Sequence, residues 1–167
     1  VLMSATGLSG IDPETADAVT LSDDMLHNII LLVYTVLIAA ITEELLCRGV
    51  ILKALSVKSV TFGLIASSLI FGILHGNFNQ IINGFLLGMV IGYAAIKSRS
   101  IILPIILHMC ANGHAMLLSF LEYKLGESII VFEVLYIILM TIIGTGAIVW
   151  LVIRNGLPNN KTDGFSV

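Results

Sequence analysis

Val33–Ser56 reads VYTVLIAAITEELLCRGVILKALS, and Glu43, Glu44 and Arg48 are its only charges before Lys53. About 20 apolar residues in a helix suffice to cross a hydrocarbon core, so this stretch is long enough to span. An ionisable side chain at membrane depth costs at least ~2.5–3.5 kcal/mol on insertion scales, which marks it for function by default. Two carboxylates and a guanidinium within six residues therefore ask for a shared explanation. The stretch sets the fold class: all-α, a polytopic transmembrane bundle.

The whole chain agrees. Of its 167 residues 57% are hydrophobic and 11% charged, and mean hydropathy is +1.05. Soluble domains carry about 25% charged residues, so an integral membrane protein in a lipid bilayer is expected. The net charge of −3 identifies no partner, and no basic stripe points to nucleic acid. Cys47 and Cys110 both lie in apolar segments, which favours buried free thiols over a disulfide framework. The chain starts at Val1 without the basic-then-apolar layout of a signal peptide. A processed product or a fragment of a longer protein is expected.

Residues 1–24 are small and acidic, with Asp12, Glu14, Asp17, Asp23 and Asp24. They read as an exposed segment, with a short helix after Asp12-Pro13, where proline suits the first turn. Five apolar segments follow in a core spanning 25–154: Met25–Leu55, Val60–His75, Gln80–Lys97, Ile101–Tyr123 and Ser128–Arg154. Residues 155–167 form a tail. Lys53, Lys58, Lys97, Arg99, Arg154 and Lys161 fall on one side of a five-span arrangement and only Lys124 on the other. The positive-inside rule then puts the carboxyl terminus in the cytoplasm, with a bacterial plasma membrane as the expected location.

Three constellations carry polar groups into these spans. In Glu43-Glu44-Leu45-Leu46-Cys47-Arg48, Glu44 precedes Arg48 by four, the favourable order for an intrahelical ion pair. Glu43 lies about 100° around the helix from Glu44, leaving three roles open: a neutral acid, a partner for a charge on another helix, or a base in a polar cavity. Phe71-Gly72-Ile73-Leu74-His75 closes the short second span. His108-Met109-Cys110-Ala111-Asn112 puts His108 and Asn112 on one face of the fourth. Each alone is readily structural, as an interface or an interhelical hydrogen bond. Together, Glu plus His can orient and deprotonate water, and His plus Asn can donate hydrogen bonds to an oxyanion. Those parts suit hydrolysis of an acyl bond.

EELLCRG, FGILH and HMCAN, in that order, resemble the EExxxR, FxxxH and HxxxN motifs of the CPBP intramembrane proteases. That family includes type II CAAX prenyl endopeptidases and the Abi and bacteriocin-processing proteins. The resemblance covers about residues 25–154 and implies a membrane endopeptidase. By motif match it implies that Glu43 and His75 activate water, His108 and Asn112 form the oxyanion site, and Glu44 and Arg48 support the geometry. It also implies a substrate that is a membrane-associated peptide or protein, such as a prenylated tail, a pheromone precursor or a bacteriocin leader. Eukaryotic-type members resemble an eight-span bundle whose last five spans this chain matches.

No cofactor is expected. Glu43, His75 and His108 are a conceivable zinc set, but HExxH is absent, so glutamate catalysis without metal is favoured. The rival reading from another class is a non-catalytic membrane protein: a proton-coupled transporter, since intramembrane Glu and His also build relays, or a bacteriocin-immunity-type binding partner. His27 and His114 read as interface or rim residues, Glu133 as near-surface, and Cys110 as facing away from His108. Asn77 and Asn79, in a tight turn after His75, could line a cavity. One depth count resists the scheme. From the nearest basic residues Glu43 counts about 10 residues or ~15 Å and His108 ~14 Å, but His75 ~25 Å, a ~10 Å gap.

Overall fold

The computed structural model describes residues 21–76, 78–126 and 130–158. The helix expected after Asp12-Pro13, Asn77 and most of the carboxyl-terminal tail lie outside them. Five helices account for the described architecture: α1 (Met25–Ser56), α2 (Val60–Ile73), α3 (Phe78–Ser98), α4 (Ile102–Leu125) and α5 (Ile130–Asn155). The five apolar segments each become one helix. By length and composition α1, Gln80–Ser98 of α3 and α4 can cross a membrane. The 26 residues of α5 reach ~39 Å, also enough. The 14 residues of α2 reach only ~21 Å, so its last turn ends within the hydrocarbon depth.

Helix starts follow local chemistry. The Asp24 carboxylate accepts the Leu26 N–H at 2.9 Å at the head of α1, and the Ser59 hydroxyl accepts the Phe62 N–H at 3.2 Å at the head of α2. Both are N-caps that satisfy otherwise orphaned donors. α1 is continuous, but Val33–Ala39 and Leu45–Ile51 are wound as π-helix on either side of Ala40–Glu44. Such widened turns recur at functional sites, and these two bracket the paired glutamates.

α2 and α3 pack backbone to backbone. A Cβ on Gly84 would stand 3.0 Å from Gly72 Cα, and one on Gly88 3.1 Å from Ser68 Cα. Gly84, Gly88 and Gly92 recur at four-residue intervals, the small-residue spacing that lets membrane helices approach closely. At the end where α1 hands over to α2, Leu52, Val60, Leu64, Ala95 and Ile96 form a buried apolar cluster. Elsewhere large apolar side chains such as Leu45, Val50, Phe62 and Leu86 face outward, as lipid contact allows.

The depth gap closes in this geometry. α1 runs past Lys53 to Ser56, and α2 starts only four residues later at Val60. Glu43 lies 13 residues before the end of α1 and Ile73 13 residues after the start of α2, so both sit ~20 Å from that turn. Lys53 belongs to the helix and does not mark its boundary. His75 follows in the turn closing α2, before Gly76, whose φ of +81° suits glycine and redirects the chain into α3.

Candidate active site

Glu43, His75 and His108 converge from α1, the turn after α2, and α4. The Glu43 Oε2 atom is 4.0 Å from His75 Nε2 and 3.9 Å from His108 Nε2. The Glu43 and His75 side chains are about one-third exposed, at 35% and 32%, whereas that of His108 is 2% exposed. These separations are too long for direct hydrogen bonds. Either separation leaves room for one oxygen atom placed ~2.8 Å from each end.

Beneath this opening lies a sealed layer. Glu44 and Arg48 are buried, and Arg48 Nη1 donates to Glu44 Oε1 at 2.9 Å, the ion pair that the four-residue spacing anticipates. Arg48 Nη2 donates to the Gly88 carbonyl at 3.0 Å, which the glycine-lined approach of α3 leaves accessible. Its guanidinium also lies over the Phe71 ring, 4.5 Å from the centroid. The same ring meets His75 and His108 edge-on, at 4.9 and 5.3 Å.

Both histidines are tethered through Nδ1. His75 Nδ1 is 2.8 Å from the Phe71 carbonyl, which can only accept, so Nδ1 carries the proton. His108 Nδ1 is 2.9 Å from Glu44 Oε1. Each tether turns Nε2 toward Glu43. Asn112, one turn beyond His108, donates through Nδ2 to the Thr35 carbonyl at 2.9 Å. Thr35 belongs to the first π-wound stretch, and the amide's second N–H is not used in this bond.

The Glu44–His108 bond, Phe71, the Gly88 carbonyl and the Thr35 carbonyl all go beyond the sequence reading. Phe71 had a signal, as the first residue of FGILH. The two carbonyls had none. Cys110 is exposed while His108 is buried, so the two do face apart, and Cys47 and Cys110 are both free thiols. His114 lies 3.2 Å from the Tyr136 hydroxyl of α5, with the rings stacked at 4.9 Å. Asn79 falls in the first turn of α3 rather than in a loop. The side chains of Asn79 and Glu133 lie outside the described residues.

Among the described residues no group of three or more His, Cys, Asp or Glu is arranged to hold a metal ion. Tetrahedral zinc with bonds of 2.0–2.1 Å keeps neighbouring ligands ~3.3 Å apart. The separations of 3.9 and 4.0 Å from Glu43 to the two histidines are wider than that spacing.

Comparison with known proteins follows the same lines. The chain is 30% identical over 98 residues to an uncharacterised 24.3 kDa protein of Escherichia coli, covering 54% of this chain and 45% of that relative. It thus spans about half the length of the relative. No solved structure matches. Residues 25–114 match the family described as type II CAAX prenyl endopeptidase Rce1-like, a stretch that contains all three motifs. The chain belongs to the Rce1-like family of type II CAAX prenyl endopeptidases.

Proposed function

We propose that this protein is an intramembrane endopeptidase in which Glu43 is the general base. The observation that carries this reading is the placement of one half-open carboxylate oxygen within 4.0 Å of two imidazole nitrogens. Water held between Glu43 and His75 loses a proton to Glu43 as its oxygen attacks the scissile carbonyl. His108 and Asn112, neighbours on one face of α4, lie on the side of the developing oxyanion. Glu44 and Arg48 hold the arrangement from below. No step is routed through a metal.

The proposed substrate is a membrane-associated peptide or protein segment: a prenylated tail, a peptide-pheromone precursor or a bacteriocin leader. The asymmetry of basic residues supports a cytoplasmic carboxyl terminus, in a bacterial plasma membrane. The competing non-catalytic readings are less well supported. A transporter is expected to use discontinuous helices at mid-membrane, whereas α1 runs unbroken through the glutamate pair.

The test presents purified protein in proteoliposomes with these three peptide classes, with and without a chelator. Cleavage of at least one class that survives chelation is expected. Activity lost to chelator and restored by zinc would replace the glutamate mechanism with a metal one. Binding without cleavage of any class would favour a non-catalytic role.

A further inference from the structure

We propose that His108 is the proton carrier of the reaction, with Glu44 as the positioning residue that holds it in that role. The inference rests on the peptidase reading above and specifies chemistry within it. Glu44 Oε1 pairs with the Arg48 guanidinium, accepting Nη1–H at 2.9 Å, and the oxygen of a paired carboxylate only accepts. His108 Nδ1, 2.9 Å away, must therefore be the N–H donor. A neutral imidazole carries one ring proton, so Nε2 presents a lone pair toward Glu43. His75 is in the same tautomer, set by the Phe71 carbonyl.

The two histidines differ in what stands behind them. His75 is backed by a neutral carbonyl and is one-third exposed. His108 is backed by a buried carboxylate whose second oxygen, Oε2, has no hydrogen-bond partner among the described residues. A carboxylate on Nδ1–H fixes the tautomer and stabilises the imidazolium that forms, as in the Ser-His-Asp triad. Arg48 tempers that charge but divides its donors between Glu44 and Gly88.

The steps balance without any further reactant. Water oxygen bonds to the carbonyl carbon, one water proton passes to Glu43 Oε2, and the carbonyl π pair moves onto oxygen. The new hydroxyl then bridges Glu43 and His108. It takes back the proton on Oε2 while passing its own to His108 Nε2. The imidazolium N–H stabilises the oxyanion and then protonates the leaving nitrogen as the C–N bond breaks and C=O re-forms. An acid and an amine leave, and His108 regains its lone pair. Any N–H that His108 gives to the oxyanion is one it has first received, whereas Asn112 has amide protons from the start.

The experiment compares two substrates sharing one acyl half, with the full chain in proteoliposomes. One is a quenched-fluorescence peptide carrying a prenylated CAAX tail. The other is the 4-nitrophenyl ester of the same acyl half, whose leaving group departs without a proton. His108→Gln is expected to slow amide cleavage ~100-fold or more, within the range for general acid–base catalysis, and ester cleavage less than ~10-fold. Glu44→Gln is expected to show the same split at smaller size, with Glu44→Asp restoring part of the amide activity. Equal losses on both substrates would overturn the proton-carrier role. Nitrogen-15 NMR of the resting protein supplies a readout apart from turnover. A protonated Nδ1 and bare Nε2 on His108 are expected, and the opposite tautomer would overturn the role of Glu44. Should Glu43→Gln keep cleaving both substrates, the peptidase reading itself falls. Equal losses in His108→Gln with Glu43 still essential remove only this inference.

Discussion

Replacing Arg48 with methionine removes one half of a fully enclosed ion pair and leaves the other half charged. Arg48 makes three contacts: Nη1 to Glu44 at 2.9 Å, Nη2 to the Gly88 carbonyl at 3.0 Å, and its guanidinium face to Phe71 at 4.5 Å. Deleting one partner of a buried pair costs about 3–5 kcal/mol, mostly because a lone charge stays buried. The Gly88 bond adds about 1 kcal/mol, and the cation–π contact up to about 2 kcal/mol when desolvated. The three overlap and do not sum, so about 4 kcal/mol is the expected loss for Arg48→Met. In the double variant Glu44→Gln/Arg48→Met no charge is stranded, and the glutamine carbonyl can still accept from His108 Nδ1. Its loss is expected to be smaller than that of Arg48→Met alone, at about 1–2 kcal/mol. Reversible unfolding in bicelles, followed by circular dichroism across the four proteins of the cycle, measures both quantities. Additive losses, with coupling under about 0.5 kcal/mol, would refute the claim that Glu44 and Arg48 stabilise the bundle as a buried pair.

Other perturbations probe separate parts of the account. Gly84→Val places a Cβ 3.0 Å from Gly72 Cα and 3.4 Å from His75 Nδ1; overpacking of this kind costs about 1–3 kcal/mol. Its kcat should fall more than the stability loss alone implies, measured by peptide cleavage beside thermal unfolding. Asn112→Ala removes the proposed oxyanion donor and should lower kcat ~10²–10³-fold with KM nearly unchanged; a pure KM effect in steady-state kinetics would contradict that role. His75→Ala should slow cleavage ~10²-fold or more while leaving the buried Glu44–Arg48–His108 layer and the unfolding midpoint close to wild type.

Much of this arrangement was written in local sequence. Apolar runs and their charged or small-residue breaks located all five helices to within a few residues, because a membrane helix needs both length and uniform hydropathy. The Glu44–Arg48 pair followed from four-residue spacing alone. Counted from Lys53, Glu43 reads too shallow, because α1 continues for another turn beyond that lysine. The four-residue spacing of Gly84, Gly88 and Gly92 is legible in the sequence, and the close approach it allows lets α3 bring a carbonyl to Arg48. The second partner of Glu44 was not legible. His108 lies 64 residues away, and only the packing of α4 on α1 selects Glu44, rather than Glu43, as the acceptor for its Nδ1.

The most direct test of the central claim is the cleavage rate of Glu43→Gln against wild type, on one prenylated CAAX-tail peptide in proteoliposomes. Glutamine keeps the shape and the partial exposure of Glu43 but cannot take a proton from water. The account predicts a rate lower by ~10²–10⁴-fold, the usual contribution of general acid–base catalysis, with the unfolding midpoint unchanged. Cleavage by Glu43→Gln within threefold of the wild-type rate would contradict it.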